Sequence, residues 1–435
     1  MDTSIRKPAS GTVFFILFTA FLNLAGVGIL NPIVPFIVGK YVARADGAFV
    51  VSLLFTSYSL CQFLAVPSLG ALSDRFGRRP VLLISLLGSA AGYLIFGLGG
   101  ALWVLFLGRI IDGLTGGNIA TIYAYGADIT EPKDRTHFFG LLGAAAGMGF
   151  VMGPALGGLL YKLTNSFEAP LYFAAALTLA NTVWGFFAMP ESLTHDKRDQ
   201  SITVARLNPL VQLGNAFRLP ELRLLLLGVF IWTFAFAMLQ SNVSFLTEDR
   251  LHWTPDGTSA IFFTVGSITI LVQGLLIRRL LPRFGEARLA IAGLLAIGIG
   301  FIIIAVVTAT SYAPLLFVAV IFTATGNGLI TPSLAGLLSQ AVTMREQGRV
   351  QGGNQSVQAL GRVIGPLWGG WTYGSIGPAA PYITGAVILG VAALTVTAAV
   401  PTLARHKEQR SAEANPVRAF EPGGSVEPDP TAWRE

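Results

Sequence analysis

Apolar residues in this chain fall into long unbroken runs, separated by short polar breaks. A run of about 20 such residues crosses a bilayer as a helix, so each run predicts one membrane span. The runs lie near 12–39, 49–70, 80–99, 101–124, 138–161 and 169–189. Six more follow near 223–246, 258–281, 287–309, 313–338, 352–375 and 379–401. The longest internal polar stretch contains His195, Asp196, Lys197, Arg198 and Asp199 and divides the two sets. The pattern predicts an all-α integral membrane protein with twelve transmembrane helices. An N-terminal six-helix bundle covers 1–189, a central loop 190–221 and a C-terminal six-helix bundle 222–401. The tail, 402–435, has few large apolar residues and is expected to be disordered.

Composition supports the membrane setting. Hydrophobic residues make up 53% of the chain and charged residues 12%, about half the charge of a typical soluble domain. The first apolar run follows Arg6 and Lys7 but outlasts a signal-peptide core and lacks a small-residue cleavage site, so it is expected to stay as span one. Cys61 is the only cysteine, which rules out an intrachain disulfide. The four histidines are scattered and suggest no metal site.

The net charge of +6 changes meaning once its placement is mapped. With the N-terminus inside, most cations fall on the inner side, at Arg6, Lys7, Arg75, Arg78, Arg79, Lys133 and Arg135, in the central loop, and at Arg278, Arg279, Arg283, Arg288, Arg345, Arg349 and the tail. The outer side keeps Lys40, Arg44, Lys162 and Arg250. Cytoplasmic loops are enriched in Lys and Arg, so both termini are expected in the cytoplasm. The charge is topological, and nucleic acid is not an expected partner.

Two internal echoes support duplicated halves. Gly153-Pro154-Ala-Leu-Gly157-Gly158 in span five matches Gly365-Pro366-Leu-Trp-Gly369-Gly370 in span eleven, 212 residues later. Arg75-Phe76-Gly77 is repeated as Arg283-Phe284-Gly285, 208 residues later. Duplicated halves are how many secondary transporters build a site at the bilayer midplane.

Charges inside spans are costly, by about 2.5 kcal/mol or more at the centre, and default to functional candidates. Arg109 and Asp112 in span four share a helical face, and Arg362 in span eleven is the third such charge. Between spans two and three, Gly70-Ala-Leu-Ser-Asp74-Arg75-Phe76-Gly77-Arg78-Arg79-Pro80 combines turn glycines with a carboxylate beside arginines. Asp128, at the end of span four, is the expected partner of Arg75 or Arg78.

That loop resembles the signature of the major facilitator superfamily, whose members are transporters built of two six-helix halves. The resemblance implies that Gly70, Asp74, Arg75, Gly77, Arg78 and Asp128 form a conformational latch. Gly149, Gly153, Pro154, Gly157 and Gly158 resemble the superfamily's antiporter motif, which implies drug/proton export; close helix packing is the alternative. Arg109 matches the intramembrane arginine implicated in proton coupling, with Asp112 as its proton-carrying partner or as a static counter-ion.

Within the superfamily the sequence is most similar to the tetracycline/proton antiporters, through Asn23-Leu-Ala-Gly26-Val-Gly28-Ile-Leu-Asn31-Pro32, Gly108-Arg109, and Gln347-Gly348-Arg-Val-Gln351-Gly352. Gln62 and Gln273 fall where that family has pore glutamines. The family's carboxylates in spans one and three are replaced by Asn23 and Gly92, span nine keeps only Arg288, and Thr269 stands for the pore histidine. These losses argue against tetracycline itself. Pore helices are expected to be one, four, seven and ten, with cavity candidates Asn23, Asn31, Gln62, Asn118, Tyr123, Trp232, Phe236, Gln240, Asn242, Gln273, Asn327 and Arg362.

The expected function is export of a small amphipathic organic compound by proton antiport. An uncoupled or nutrient uptake carrier is the alternative. No nucleophile–base set, metal motif or phosphate loop supports catalysis, so neither an enzyme nor a cofactor is expected. The expected partners are the substrate, protons and the lipid bilayer, around a monomer.

Overall fold

The computed structural model describes residues 10–131, 134–193, 198, 207–218, 222–341 and 347–414. Among these residues there is no strand, as required where no water satisfies the backbone and each segment must close its own hydrogen bonds. Nine helices among the described residues are long and apolar enough to cross a membrane. Three local features reconcile nine with twelve crossings. Helix Pro255–Leu271 continues through a π-turn at Val272–Leu276 into Ile277–Thr310, and these together hold spans eight and nine. Span four is cut into Leu102–Thr115 and Ile119–Ile129 by a 3₁₀ turn at Gly116–Asn118. Span eleven, Gln347–Ser375, is rich in Gly, Gln and Asn.

The other crossings are Ser10–Leu30 with its extension Val34–Val38, Arg44–Phe76, Arg78–Leu98, Arg135–Thr164, Ala169–Ala188, Arg223–Leu251, Ala313–Gln340 and Ala380–Ala414. The last helix runs past the boundary expected at 401, so 402–414 is helical; residues 415–435 lie outside the described residues. The central loop contains a short helix, Pro209–Ala216, which Asn208 caps by accepting from the Leu210 amide at 2.9 Å.

The repeated Arg-Phe-Gly motif has a conformational reason. Gly77 has φ +109° and Gly285 φ +74°, and each turns the chain sharply between two spans. That backbone region is strained for any residue with a Cβ.

Packing follows the duplication. Span one lies against five and seven against eleven; three packs on four and six, nine on ten and twelve. The halves meet where span two packs on eleven and five on eight, pairs that exchange under a shift of six spans. Outward faces carry large apolar groups such as Ile84, Phe187 and Leu394, which face lipid rather than water.

Candidate functional site

The halves touch at one end and part at the other. At the far end, Arg44 Nε of span two donates to Asp249 Oδ1 of span seven at 2.8 Å, and the Tyr373 hydroxyl of span eleven donates to Asp249 Oδ2 at 2.8 Å. Gly370 abuts Ser52 and Ala48, while Gly158 abuts Ser259 and Asp256. At the end carrying the basic Arg75–Arg79 loop the halves separate around a cavity of about 1400 Å³. This is larger than an ordinary ligand pocket of about 300–1,000 Å³.

Asn23, Gln62, Tyr123, Gln273, Asn327 and Arg362 line this cavity. Thr269 also lines it; its hydroxyl donates to the Val265 carbonyl at 2.8 Å. Six other candidates do not line it. Asn31 is fully buried where span one kinks, and neither side-chain atom has a partner. Asn118 is buried beside the cavity, accepting from the Asn23 amide. Trp232 is buried in the core, with its Nε1 unpartnered. Phe236 and Gln240 line a separate, small apolar space behind Phe150. Asn242, likewise, is buried and donates to the Met238 carbonyl at 2.9 Å.

Span seven therefore supplies no lining residue to the cavity in this state. Spans two, five, eight and eleven flank the opening between the halves and supply much of the lining. Periodicity missed Phe150, Thr331, Gln355, Ser356 and the short-helix residues Pro209 and Val211, because it cannot say which face of an all-apolar helix meets its neighbour.

Arg109 and Asp112 are each 2% exposed, with Arg109 Nη1 donating to Asp112 Oδ2 at 3.1 Å. The guanidinium also lies over the Tyr58 ring, 4.2 Å from its centre, a favourable cation–π placement. Asp112 faces a chamber of about 10 Å³, walled from the main cavity by Asn23, Asn118, Gly116 and Tyr58. Gln62 Nε2 ties this wall together, donating to the Tyr58 hydroxyl at 3.1 Å and to the Gly116 carbonyl at 3.0 Å. Such a chamber is at the lower limit for one water. A Cβ on Gly92 would lie 2.8 Å from the Asp112 Cβ. Gly92 thus leaves room for the span-four carboxylate to pack against the backbone of span three.

In the loop cluster Arg78 pairs with Asp74, donates to Ser73 Oγ at 2.7 Å, and reaches Asp128 Oδ2 from Nε at 3.2 Å. Asp128 also accepts from the Ser192 hydroxyl at 2.9 Å. Arg75 instead lies over Phe76. Glu191, which the sequence did not single out, accepts from the Arg78 and Arg79 amides at 2.9 and 3.3 Å; a carboxylate there complements the start of span three. All these partners belong to the N-terminal bundle or to the start of the central loop, and none to the C-terminal bundle. Gly70 has open space around it.

The span-five glycines make close contacts. Gly149, Gly153 and Gly157 face the backbone of span one, and Gly158 faces span eight. Gly361, Gly365 and Gly369 face span seven, and Gly370 faces span two. The 212-residue echo is thus one packing device used twice: small residues for close approach within a half, and one at the seam between halves.

The sequence profile described as Major Facilitator Superfamily matches residues 16–361 and 261–435. The chain belongs to the major facilitator superfamily. It is 35% identical to the class C tetracycline resistance protein of Escherichia coli over 359 residues, covering 82% of this chain and 89% of that one. It is 28% identical to multidrug resistance protein 2 of Bacillus subtilis, over 82% and 88% of the two chains. Among solved structures, the human organic anion transporter MFSD10 superposes with a TM-score of 0.69 at 25% identity, over 91% of this chain and all of that one. A bacterial homologue of the lysosomal transporter Spinster, inward-facing and occupied, shares the fold at TM-score 0.71 and 15% identity. The chain is a multi-pass membrane protein on a superfamily transporter scaffold, with proteins named for tetracycline and multidrug resistance among its relatives.

Proposed function

We propose that this protein exports a small amphipathic organic compound in exchange for protons, by alternating access of the cavity between its halves. The carrying observation is the cavity itself, open at the basic end and closed at the other by the Arg44–Asp249–Tyr373 contacts. By the positive-inside rule the basic end is cytoplasmic. Both termini then lie inside a bacterial cytoplasmic membrane, and the cavity loads from the cell. Relatives named for tetracycline and multidrug resistance support drug-sized cargo. Asp112 is the proposed proton site, with Arg109 and Tyr58 holding it; Asp74, Arg78 and Asp128 act in the latch when the basic end closes. The working unit is a monomer.

The chamber that walls off Asp112 favours a second reading, in which Arg109–Asp112 is a static pair and the protein is an uncoupled carrier. One experiment separates them. Everted vesicles from an efflux-deficient host expressing this protein should accumulate fluorescent amphipathic dyes when an inward-acid pH gradient is imposed, and lose them when nigericin collapses it. Dye movement indifferent to the gradient would leave the uncoupled carrier standing.

A further inference from the structure

We infer that the cavity selects organic anions and that Arg362 holds their anionic end. This rests on the reading of the cavity as the cargo site. Arg362 lies near the middle of span eleven, lines the cavity and is half-buried. Among the described residues no carboxylate pairs with it. The two nearby acids are engaged elsewhere. Asp112 is bound to Arg109 behind the Tyr58–Asn23 wall, and Asp74 pairs with Arg78 at the mouth. The remaining polar lining is made of amides and hydroxyls, Gln62, Gln273, Asn327 and Gln355 among them. The deep part of the cavity therefore carries one uncompensated positive charge.

An arginine within a span ordinarily pairs, because its insertion is costly. Here the available counter-charge is one that enters with a ligand. A guanidinium presents a planar fork that matches a carboxylate, sulfonate or phosphate, and low-dielectric walls strengthen the attraction. Phe63, Val66 and Phe150 offer an apolar surface on the same cavity. The ligand so described is an amphipathic organic acid. The competing account is an arginine solvated by cavity water, which would not tell an acid from its amide.

The test uses the purified full-length chain and three acid/amide pairs: indomethacin, naproxen and dansylglycine, each against its primary carboxamide. Equilibrium binding is measured for wild type, Arg362→Gln and Arg362→Lys. In wild type at least one acid should bind roughly tenfold to a hundredfold tighter than its amide, the range for a charge-assisted contact. Arg362→Gln should lower acid affinity to the amide's level while leaving amide binding unchanged, which also reports that the variant is folded; Arg362→Lys should keep part of the preference. Overturning results are a wild type that binds no acid tighter than its amide, or a preference that survives Arg362→Gln. If Arg362→Gln binds neither member, the decision passes to Arg362→Lys, where an undiminished acid preference is equally fatal. Binding in detergent needs neither a gradient nor a direction. Proton-driven export can therefore fail while the acid preference stands, and dye export can persist after the preference is disproved.

Discussion

Replacing Asp112 with Asn removes one charge and keeps the side chain's shape. That charge lies 3.1 Å from Arg109 Nη1, with both residues 2% exposed. Removing one partner of a buried pair costs about 3–5 kcal/mol. Here the amide oxygen can still accept from Arg109, and the Tyr58 ring face at 4.2 Å contributes about 0.5–2 kcal/mol. The expected loss of stability is therefore at or just below the low end of that range, about 2–3 kcal/mol. The functional effect is larger in kind. One proton exchanged per substrate across a gradient of one pH unit supports about a tenfold concentration ratio, since one unit is about 1.36 kcal/mol. Asn cannot titrate, so the ratio should fall to one while downhill exchange continues; Asp112→Glu should retain coupling. The assay is dye accumulation in proteoliposomes under an imposed one-unit gradient, with the membrane potential clamped by potassium and valinomycin. If Asp112→Asn still builds a tenfold ratio, the proton rides elsewhere and Asp112 is only the counter-ion of Arg109.

Gly153→Val and Gly365→Val should each lower stability by about 1–3 kcal/mol through overpacking. Their Cβ atoms would press on the backbone of spans one and seven, whereas Gly143→Ala and Gly390→Ala meet open space and should be neutral in a thermal-unfolding assay. Arg44→Ala removes a partly exposed contact at the closed end, worth about 0.5–1 kcal/mol. It should raise labelling of a cysteine placed at Val243 by about two- to fivefold; unchanged labelling would take that contact out of the gate. Glu168, ahead of span six, is pushed up by burial but more strongly down by hydrogen bonds from Lys40 and Ser166, so it titrates below its ordinary range. A depressed carboxylate stabilises the fold above its unfolded pKa, and that contribution is lost as pH falls through the lower folded value. Wild type should therefore lose slightly more thermal stability than Lys40→Gln on going from pH 6 to pH 3, by an amount typical of an exposed pair. An identical loss in both would remove this pair from the acid response.

Much of the candidate site was legible because polar groups in apolar spans stand out. Arg362 was found that way, Gln62 and Gln273 through the family resemblance, and all three line the cavity. Trp232, Phe236 and Gln240 carried the same kind of signal and line no part of it. A helix that is apolar all round gives no moment to say which side faces a neighbour, and alternating access turns different parts of a span toward the cavity in different states. Phe150 was missed for the same reason, since only its position beside the seam matters, and Gln355 because its span is rich in Gly, Gln and Asn, where one more amide does not stand out.

Hydrophobic runs by themselves determined the span count, because a membrane-crossing helix depends on local composition and length. The repeated motifs determined the duplication, and charge asymmetry supplies the orientation proposed here. All three are properties of short segments. The tertiary structure decided that Asp112 lies in a chamber apart from the cavity, that Arg78 rather than Arg75 meets Asp128, and that Arg362 faces the cavity without an acid. These depend on the rotation of each helix about its axis and on which end of the seam is closed. Both are set by contacts between residues far apart in sequence, such as Gly153 against Ala25 and Arg44 against Asp249.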